Sequence, residues 1–213
     1  KDNGRLGSLN MSLGVGFMNL NQNDKAANYF IEAEKLISMA DNSAHRLAAL
    51  YNKMVENYLI LGKSYYAEKY LEKSRQLLNQ HPSAEQQATY FFSEGFFYYK
   101  THQFKEALFS FDKGIELSKG ANKKFFIFEI QNYRIKTLIN LKEFEKALNE
   151  VDSIYYDLDL MSTDSNKLIV YKFYTEIYKH LGDFSLSLNY LEKYNQLSHK
   201  INEQNTKFKI NQL

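Results

Sequence analysis

Ala26, Ala67, Ala107, Ala147 and Ser187 are spaced 41, 40, 40 and 40 residues apart. Each stands four residues before a large apolar residue, in turn Phe30, Leu71, Phe111, Val151 and Leu191, and each follows a short polar turn. Self-similarity at a fixed period of this length is the mark of a repeat solenoid. It constrains function as well as fold, because a solenoid holds a partner along a surface and seldom works by chemistry at one point.

Composition agrees with helices throughout. The 213 residues include one proline, Pro82, and nine glycines, so helix interiors are almost free of breakers. A β-rich chain would carry more turn signals and more alternating Val, Ile and Thr. Bulk for a core comes from 17 Tyr and 16 Phe, with no Trp. The 27 basic and 25 acidic residues are interspersed, which leaves no clustered basic face for nucleic acid. The absence of cysteine excludes disulfides, cysteine nucleophiles and cysteine-held metals, and it fits an exported chain as well as a cytoplasmic one. No apolar run approaches the roughly 18–20 residues that span a bilayer. The chain opens at Lys1 without methionine or a leader pattern, as expected of a processed or trimmed protein.

The spacing of apolar residues predicts five pairs of helices. In the second unit Leu47, Leu50, Tyr51, Met54, Val55, Tyr58 and Leu61 mark one helix. Gly62-Lys63-Ser64 makes a turn, and Tyr66, Ala67, Tyr70, Leu71, Ser74 and Leu77 mark the next. Pro82 closes the unit, and Ser83 with Gln86 offers a capping box for the helix that follows. Tyr90 to Tyr98 and Phe104 to Ile115 repeat the plan, closed by Lys119, Gly120 and Asn122. Ile127 to Leu138 and Phe144 to Ile154 form the fourth unit. Leu168 to Leu181 and Phe184 to Tyr194 form the fifth, and Leu13 to Leu20 and Ala26 to Ile37 the first. Small residues, Gly14 and Gly95 on first helices and the alanines on second helices, are expected where two helices cross closely and neighbouring rings fill the gaps.

Nothing in the chain points to catalysis or to a bound metal or cofactor. His45, His81, His102, His180 and His199 form no ligand pair at helical spacing, and three of them fall at helix ends, where a ring commonly bonds terminal carbonyls. Gly14-Val15-Gly16 lies inside a helical pattern and lacks the rest of any nucleotide fingerprint. No Gly-x-Ser-x-Gly elbow is present.

Leu13-Gly14…Phe17 with Ala26…Phe30…Ala33, and Gly95…Tyr98 with Ala107…Phe111…Gly114, resemble tetratricopeptide repeats. Ile135 and Thr175 replace the first-helix glycine in units four and five, and Ser187 replaces the alanine. The period of about 40 exceeds the family's 34 residues, and about a turn more in each helix would account for it. The resemblance implies an all-α, right-handed solenoid of five helical hairpins over residues 1–197. The units run about 7–42, 43–82, 83–122, 123–163 and 164–197, with a C-terminal helical extension at 198–213.

It also implies a concave face lined by first helices, where an extended peptide or protein would bind. Transfer of the usual groove positions gives Asn52, Lys53 and Glu56 in unit two, and Phe92, Phe96, Tyr99 and Lys100 in unit three. Unit four gives Asn132, Tyr133, Lys136 and Asn140, and unit five Lys172, Phe173, Glu176 and Lys179. Amides would bond a peptide backbone while rings cover its apolar side chains. The Lys/Asn/Arg set of the family's two-carboxylate clamp is only partly present.

The stretch from Tyr190 to Asn205 resembles the end of tetratricopeptide sensor regions in bacterial membrane-anchored histidine kinases and related regulators. There the last repeat runs into a long helix, a membrane anchor and an output domain. That resemblance implies a sensor or interaction region in the periplasm or otherwise outside the cytoplasmic membrane, with any anchor beyond Leu213. The alternatives are a cytoplasmic peptide-pheromone receptor and a self-assembling structural module.

Overall fold

The computed structural model describes residues 2–119, 124–157 and 160–210, so Gly120, Asn122 and Leu213 lie outside the described residues. The chain divides into two compact units, Lys1–Lys123 and Lys124–Leu213. The first holds three antiparallel pairs: α1 (Asn3–Asn19) with α2 (Asn23–Ser38), α3 (Ala44–Ile60) with α4 (Ser64–Gln80), and α5 (Ala84–Lys100) with α6 (Phe104–Ser118). The second holds α7 (Lys124–Asn140) with α8 (Phe144–Tyr155), then a short 3-10 turn at Leu160–Ser162, then α9 (Asp164–Leu181) with α10 (Phe184–Ile210). Among the described residues there is no strand. The fourth pair places its extra length differently from the others: α8 has only 12 residues, and the added chain lies in the connection before α9.

One backbone device ends the first helix of every pair. Asn21, Gly62, His102, Lys142 and Gly182 all have positive φ, between 56° and 83°, and they recur at the repeat period. In the first four pairs the next N–H reaches back to close the turn, from Gln22, Lys63, Gln103 and Glu143 to the carbonyls of Phe17, Tyr58, Tyr98 and Leu138, at 2.8–2.9 Å. This is the left-handed helix stop, in which a residue without a Cβ is favoured. Lys142 (φ 62°) carries a side chain where Gly62 and Gly182 carry none. Lys142→Gly should therefore stabilise the protein by about 0.5–1 kcal/mol, the relief of left-handed strain being partly offset by glycine's chain entropy. Urea unfolding reads the change, and an unchanged or lower midpoint would contradict it.

The cores are built from a size match inside each pair. Ala26, Ala67, Ala107 and Ala147 have no exposed surface, and Phe30, Phe111 and Val151 are equally buried. A Cβ on Gly14 would collide with the Phe30 ring, and one on Gly95 would lie 2.5 Å from Phe111 Cε1. These two glycines thus make room for a ring, more than for a backbone. Val55, Ile135 and Thr175 hold the same position opposite Leu71, Val151 and Leu191, where the second helix offers no ring. Ser187 keeps the alanine's place at 9% exposure, its hydroxyl donating to the Thr175 carbonyl at 2.9 Å. It is a satisfied substitute in an intact repeat. The expected capping box does not form: Ser83 caps α5 without a side-chain bond, and Gln86 Nε2 donates instead to the His45 carbonyl at 2.9 Å.

Candidate functional site

A first helix in a stack is covered on several sides. In the first unit α5 packs on α3, α4 and α6. Only a narrow strip of such a helix can face outward, and the strip decides which expected groove residues reach solvent.

On α3, Lys53 and Glu56 stand one turn apart, with Nζ 2.9 Å from both carboxylate oxygens. Asn52 is 3% exposed and serves as a strut: it accepts from Ser74 Oγ at 2.8 Å and donates to Thr89 Oγ1 at 3.3 Å, tying α3 to α4 and α5. On α5, Phe92 and Phe96 are each 3% exposed. They flank Gly95, stack on one another at 6.4 Å, and Phe92 meets the Phe111 ring. Tyr99 is half-buried against Phe104, and Lys100 is exposed with its ammonium 5.5 Å from the centroid of Phe96.

In the second unit α7 carries Tyr133 with Lys136 Nζ 4.4 Å from its ring centroid. Asn132 is half-buried, and Asn140 is exposed with its Nδ2 donating to the Lys136 carbonyl at 2.8 Å. On α9, Lys172, Glu176 and Lys179 are exposed, whereas Phe173 is buried. Asn52, Phe92, Phe96 and Phe173 therefore pack beneath the first-helix strips and do not line them. The strips themselves present Lys53, Glu56, Tyr99 and Lys100 in one unit, and Asn132, Tyr133, Lys136, Asn140, Lys172 and Glu176 in the other. An ammonium over a ring recurs in both, a contact worth about 0.5–1 kcal/mol at exposed sites.

The expected histidine roles resolve differently. His102 meets Phe104 edge-on, and His180 stacks on Phe144 at 4.6 Å, so both rings serve aromatic packing. Among the described residues no three His, Asp or Glu side chains gather as metal ligands, and no helix is long and apolar enough to cross a membrane.

Sequence reasoning missed the polar centres on the opposite, second-helix side. Glu34 of α2 accepts from Tyr70 OH at 3.1 Å and pairs with Lys73 at 2.7 Å. Glu94 of α5 accepts from Tyr90 OH and Ser110 Oγ, both at 2.7 Å. Asp152 of α8 accepts from Tyr174 OH at 2.6 Å. Burial, reinforced by hydrogen bonds to these carboxylates, pushes the Tyr70, Tyr90 and Tyr174 hydroxyls far above the ordinary tyrosine value. Burial against its aromatic neighbours pushes Tyr190 up to about 12. The signal was present in the repeat itself. The residue sixteen positions after 13, 54, 94, 134 and 174 is Tyr29, Tyr70, Ser110, Glu150 and Tyr190, and it couples the two helices of a pair. In the fourth pair the coupling is an ion pair, Arg134 with Glu150.

No family model and no curated protein matches the sequence. Solved structures do match the fold. BtubC (BKLC) from P. vanneervenii superposes with a TM-score of 0.76 at 14% identity, covering 93% of this chain and 83% of that one. A kinesin-light-chain-like protein of Podospora anserina with nearly identical TPR-like repeats gives 0.70 at 14% identity, covering 95% and 99%. Aspartyl phosphate phosphatase F from Bacillus subtilis gives 0.73 at 15% identity, covering 91% of this chain and 50% of that one. At such identities the likeness concerns fold, and the fold is that of the tetratricopeptide-like helical repeat proteins.

Proposed function

We propose that this chain is a non-catalytic scaffold that binds a protein or extended peptide along its first-helix strips. The observation that carries the reading is the make-up of those strips once the buried residues are removed. What remains at the surface is the Asn140 amide, ammonium groups and the edges of Tyr99 and Tyr133, with Lys136 over the Tyr133 ring. Such groups suit a peptide's carbonyls, carboxylates and apolar side chains. A net charge of +2 with both signs interspersed supports a protein partner over nucleic acid.

The setting we favour is the sensor or interaction region of a bacterial signalling protein, outside the cytoplasmic membrane. The C-terminal resemblance supports it, and so does the length of α10, 27 residues against 12–18 for the other helices. The cytoplasmic receptor reading draws support from the match to half of aspartyl phosphate phosphatase F. The intact gene distinguishes them: a leader before Lys1 and an apolar span after Leu213 favour the sensor, and a helix-turn-helix or phosphatase module before Lys1 favours the receptor.

Binding is tested with a decapeptide selected by display against the whole chain. Tyr99→Ala should weaken a peptide held by the first unit about tenfold, and Asn132→Ala one held by the second, the loss of roughly 1.4 kcal/mol. Unchanged affinity in both variants would overturn the strip assignment.

A further inference from the structure

The position that holds Tyr70 and Tyr190 is occupied by Ser110 where pairs two and three meet, and the fold registers the difference. Between pairs one and two, Tyr70 stacks on Tyr58 at 5.6 Å and 4° and sends its hydroxyl across to Glu34 of α2. Lys73 closes over the rings of Tyr51 and Tyr70 at 5.1 and 4.8 Å. Between pairs four and five, Tyr190 lies 4.2 Å from Tyr174 and 5.9 Å from Tyr178. Both junctions are filled by the chain's own tyrosine.

Between pairs two and three the tyrosine is replaced by Ser110, too short to cross. Its hydroxyl stops at Glu94, at 2.7 Å. A groove of about 900 Å³ opens there, with Leu71, Glu72 and Arg75 of α4 on one side and Tyr90, Glu94 and Tyr98 of α5 on the other. A further hollow of about 370 Å³ adjoins it, sharing Arg75 and Tyr90 and reaching Lys113 and Glu116 of α6. Tyr98 corresponds to Tyr58, the ring on which Tyr70 stacks, and Arg75 corresponds to Glu34, the residue its hydroxyl meets. The stacking surface is thus kept, and the polar group at its end is changed from an acceptor to a donor.

We propose that this junction binds a tyrosine side chain presented by an extended peptide segment of a partner protein. The ring takes the place that Tyr70 holds between pairs one and two and Tyr190 between pairs four and five, stacked on Tyr98, and its hydroxyl accepts from the Arg75 guanidinium. The adjoining hollow carries the flanking residues. Glu72 beside Arg75, at 2.6 Å, and Glu94 beneath make the site hostile to a phosphate, so the tyrosine is bound unphosphorylated. The site lies between α4 and α5, on residues other than those of the first-helix strips.

The test uses the whole chain, isotope-labelled, and a nine-residue Gly/Ser/Ala peptide with Tyr, Phe, phosphotyrosine or Ala at its centre. Amide shifts of Leu71, Glu94 and Tyr98 on titration give the affinity. The Tyr peptide should bind at least fivefold more tightly than the Phe and phosphotyrosine peptides, and the Ala peptide should leave these amides unmoved. Ser110→Tyr should abolish the effect. Arg75→Ala, at an exposed position, should bring the Tyr peptide down to the level of Phe without altering the Phe peptide. No shift at these amides with millimolar Tyr peptide, or equal shifts for Tyr and Ala, would overturn the proposal.

Discussion

Gly95→Val should destabilise the protein by about 3 kcal/mol, and adding Phe111→Leu should restore most of that loss. The Phe111 ring has no exposed surface and is hemmed in by Phe92, so it cannot retreat from a Cβ that would sit 2.5 and 2.6 Å from two of its carbons. Overpacking of this kind costs about 1–3 kcal/mol, occasionally more, against a helix-propensity gain of a few tenths. The pair of positions is already occupied in the reverse sense elsewhere in the chain, as Val55 with Leu71 and Ile135 with Val151. Phe111→Leu alone should cost about 1–2 kcal/mol through the space it leaves. In the double variant the added methyls and the smaller partner fit each other, so the total should fall within about 1 kcal/mol of the parent. Additive losses in urea unfolding would show that the repeat positions are not matched in size. Gly16, with no atom near its would-be Cβ, is the control: Gly16→Ala should stabilise by just under about 1 kcal/mol.

Stability should also fall steeply above about pH 10. Tyr51, Tyr70 and Tyr90 in the first unit, and Tyr174 in the second, hold their protons well beyond the ordinary value of 10.0, first because they are buried and then because carboxylates stand beside them. An unfolded tyrosine loses its proton near pH 10 while the folded one keeps it. The unfolded state therefore binds fewer protons there, and unfolding becomes easier as pH rises. Below about pH 9 both states are protonated and the contribution is constant. Each such tyrosine weakens the fold by at most about 1 kcal/mol per pH unit above 10 once solvent screening is allowed for, so the first unit's three should together remove on the order of 2–3 kcal/mol by pH 11. Tyrosinate absorbance and circular dichroism, followed together, should show these hydroxyls ionising only as helix is lost. Tyr90→Phe should make the slope shallower by up to about 1 kcal/mol per pH unit. Ionisation of all the tyrosines before any loss of helix would contradict the burial of these hydroxyls.

The repeat was legible because its period rests on residues whose role is the same in every pair: an alanine with no room for more, a large residue four places on, a turn before both. The left-handed stop was legible only at Gly62 and Gly182. Asn21 and His102 are weaker signals of the same φ and Lys142 is none, because there the closing hydrogen bonds and the packing of the pair impose the turn. The candidate site was legible as a face but not as a set of side chains. A first helix packed on three neighbours has apolar residues around most of its circumference, so a motif position cannot distinguish Phe96, which packs, from Tyr99, which reaches the surface. Asn52 was misplaced for a different reason: a buried amide with both a donor and an acceptor partner is indistinguishable, in sequence, from one waiting for a ligand. Ser187 and Ser110 make the same point in opposite directions. Ser187 has the character of repeat decay and is a satisfied core residue, whereas Ser110 is an ordinary helix residue by sequence and leaves a groove.

The claim that first-helix strips hold the partner is tested most directly by photo-crosslinking. A benzophenone amino acid replaces Tyr99, Tyr133, Tyr65, Phe109 or Tyr156, one at a time, in the whole chain, and the display-selected decapeptide is irradiated with each. Phe109 and Tyr156 lie on second helices or just beyond, 61% and 77% exposed, and report the opposite surface, while Tyr65 stands at the mouth of the α4–α5 groove. Crosslinks at position 99 or 133, with none at 109 and 156, are the predicted result. Crosslinks confined to 65, 109 or 156 would contradict it.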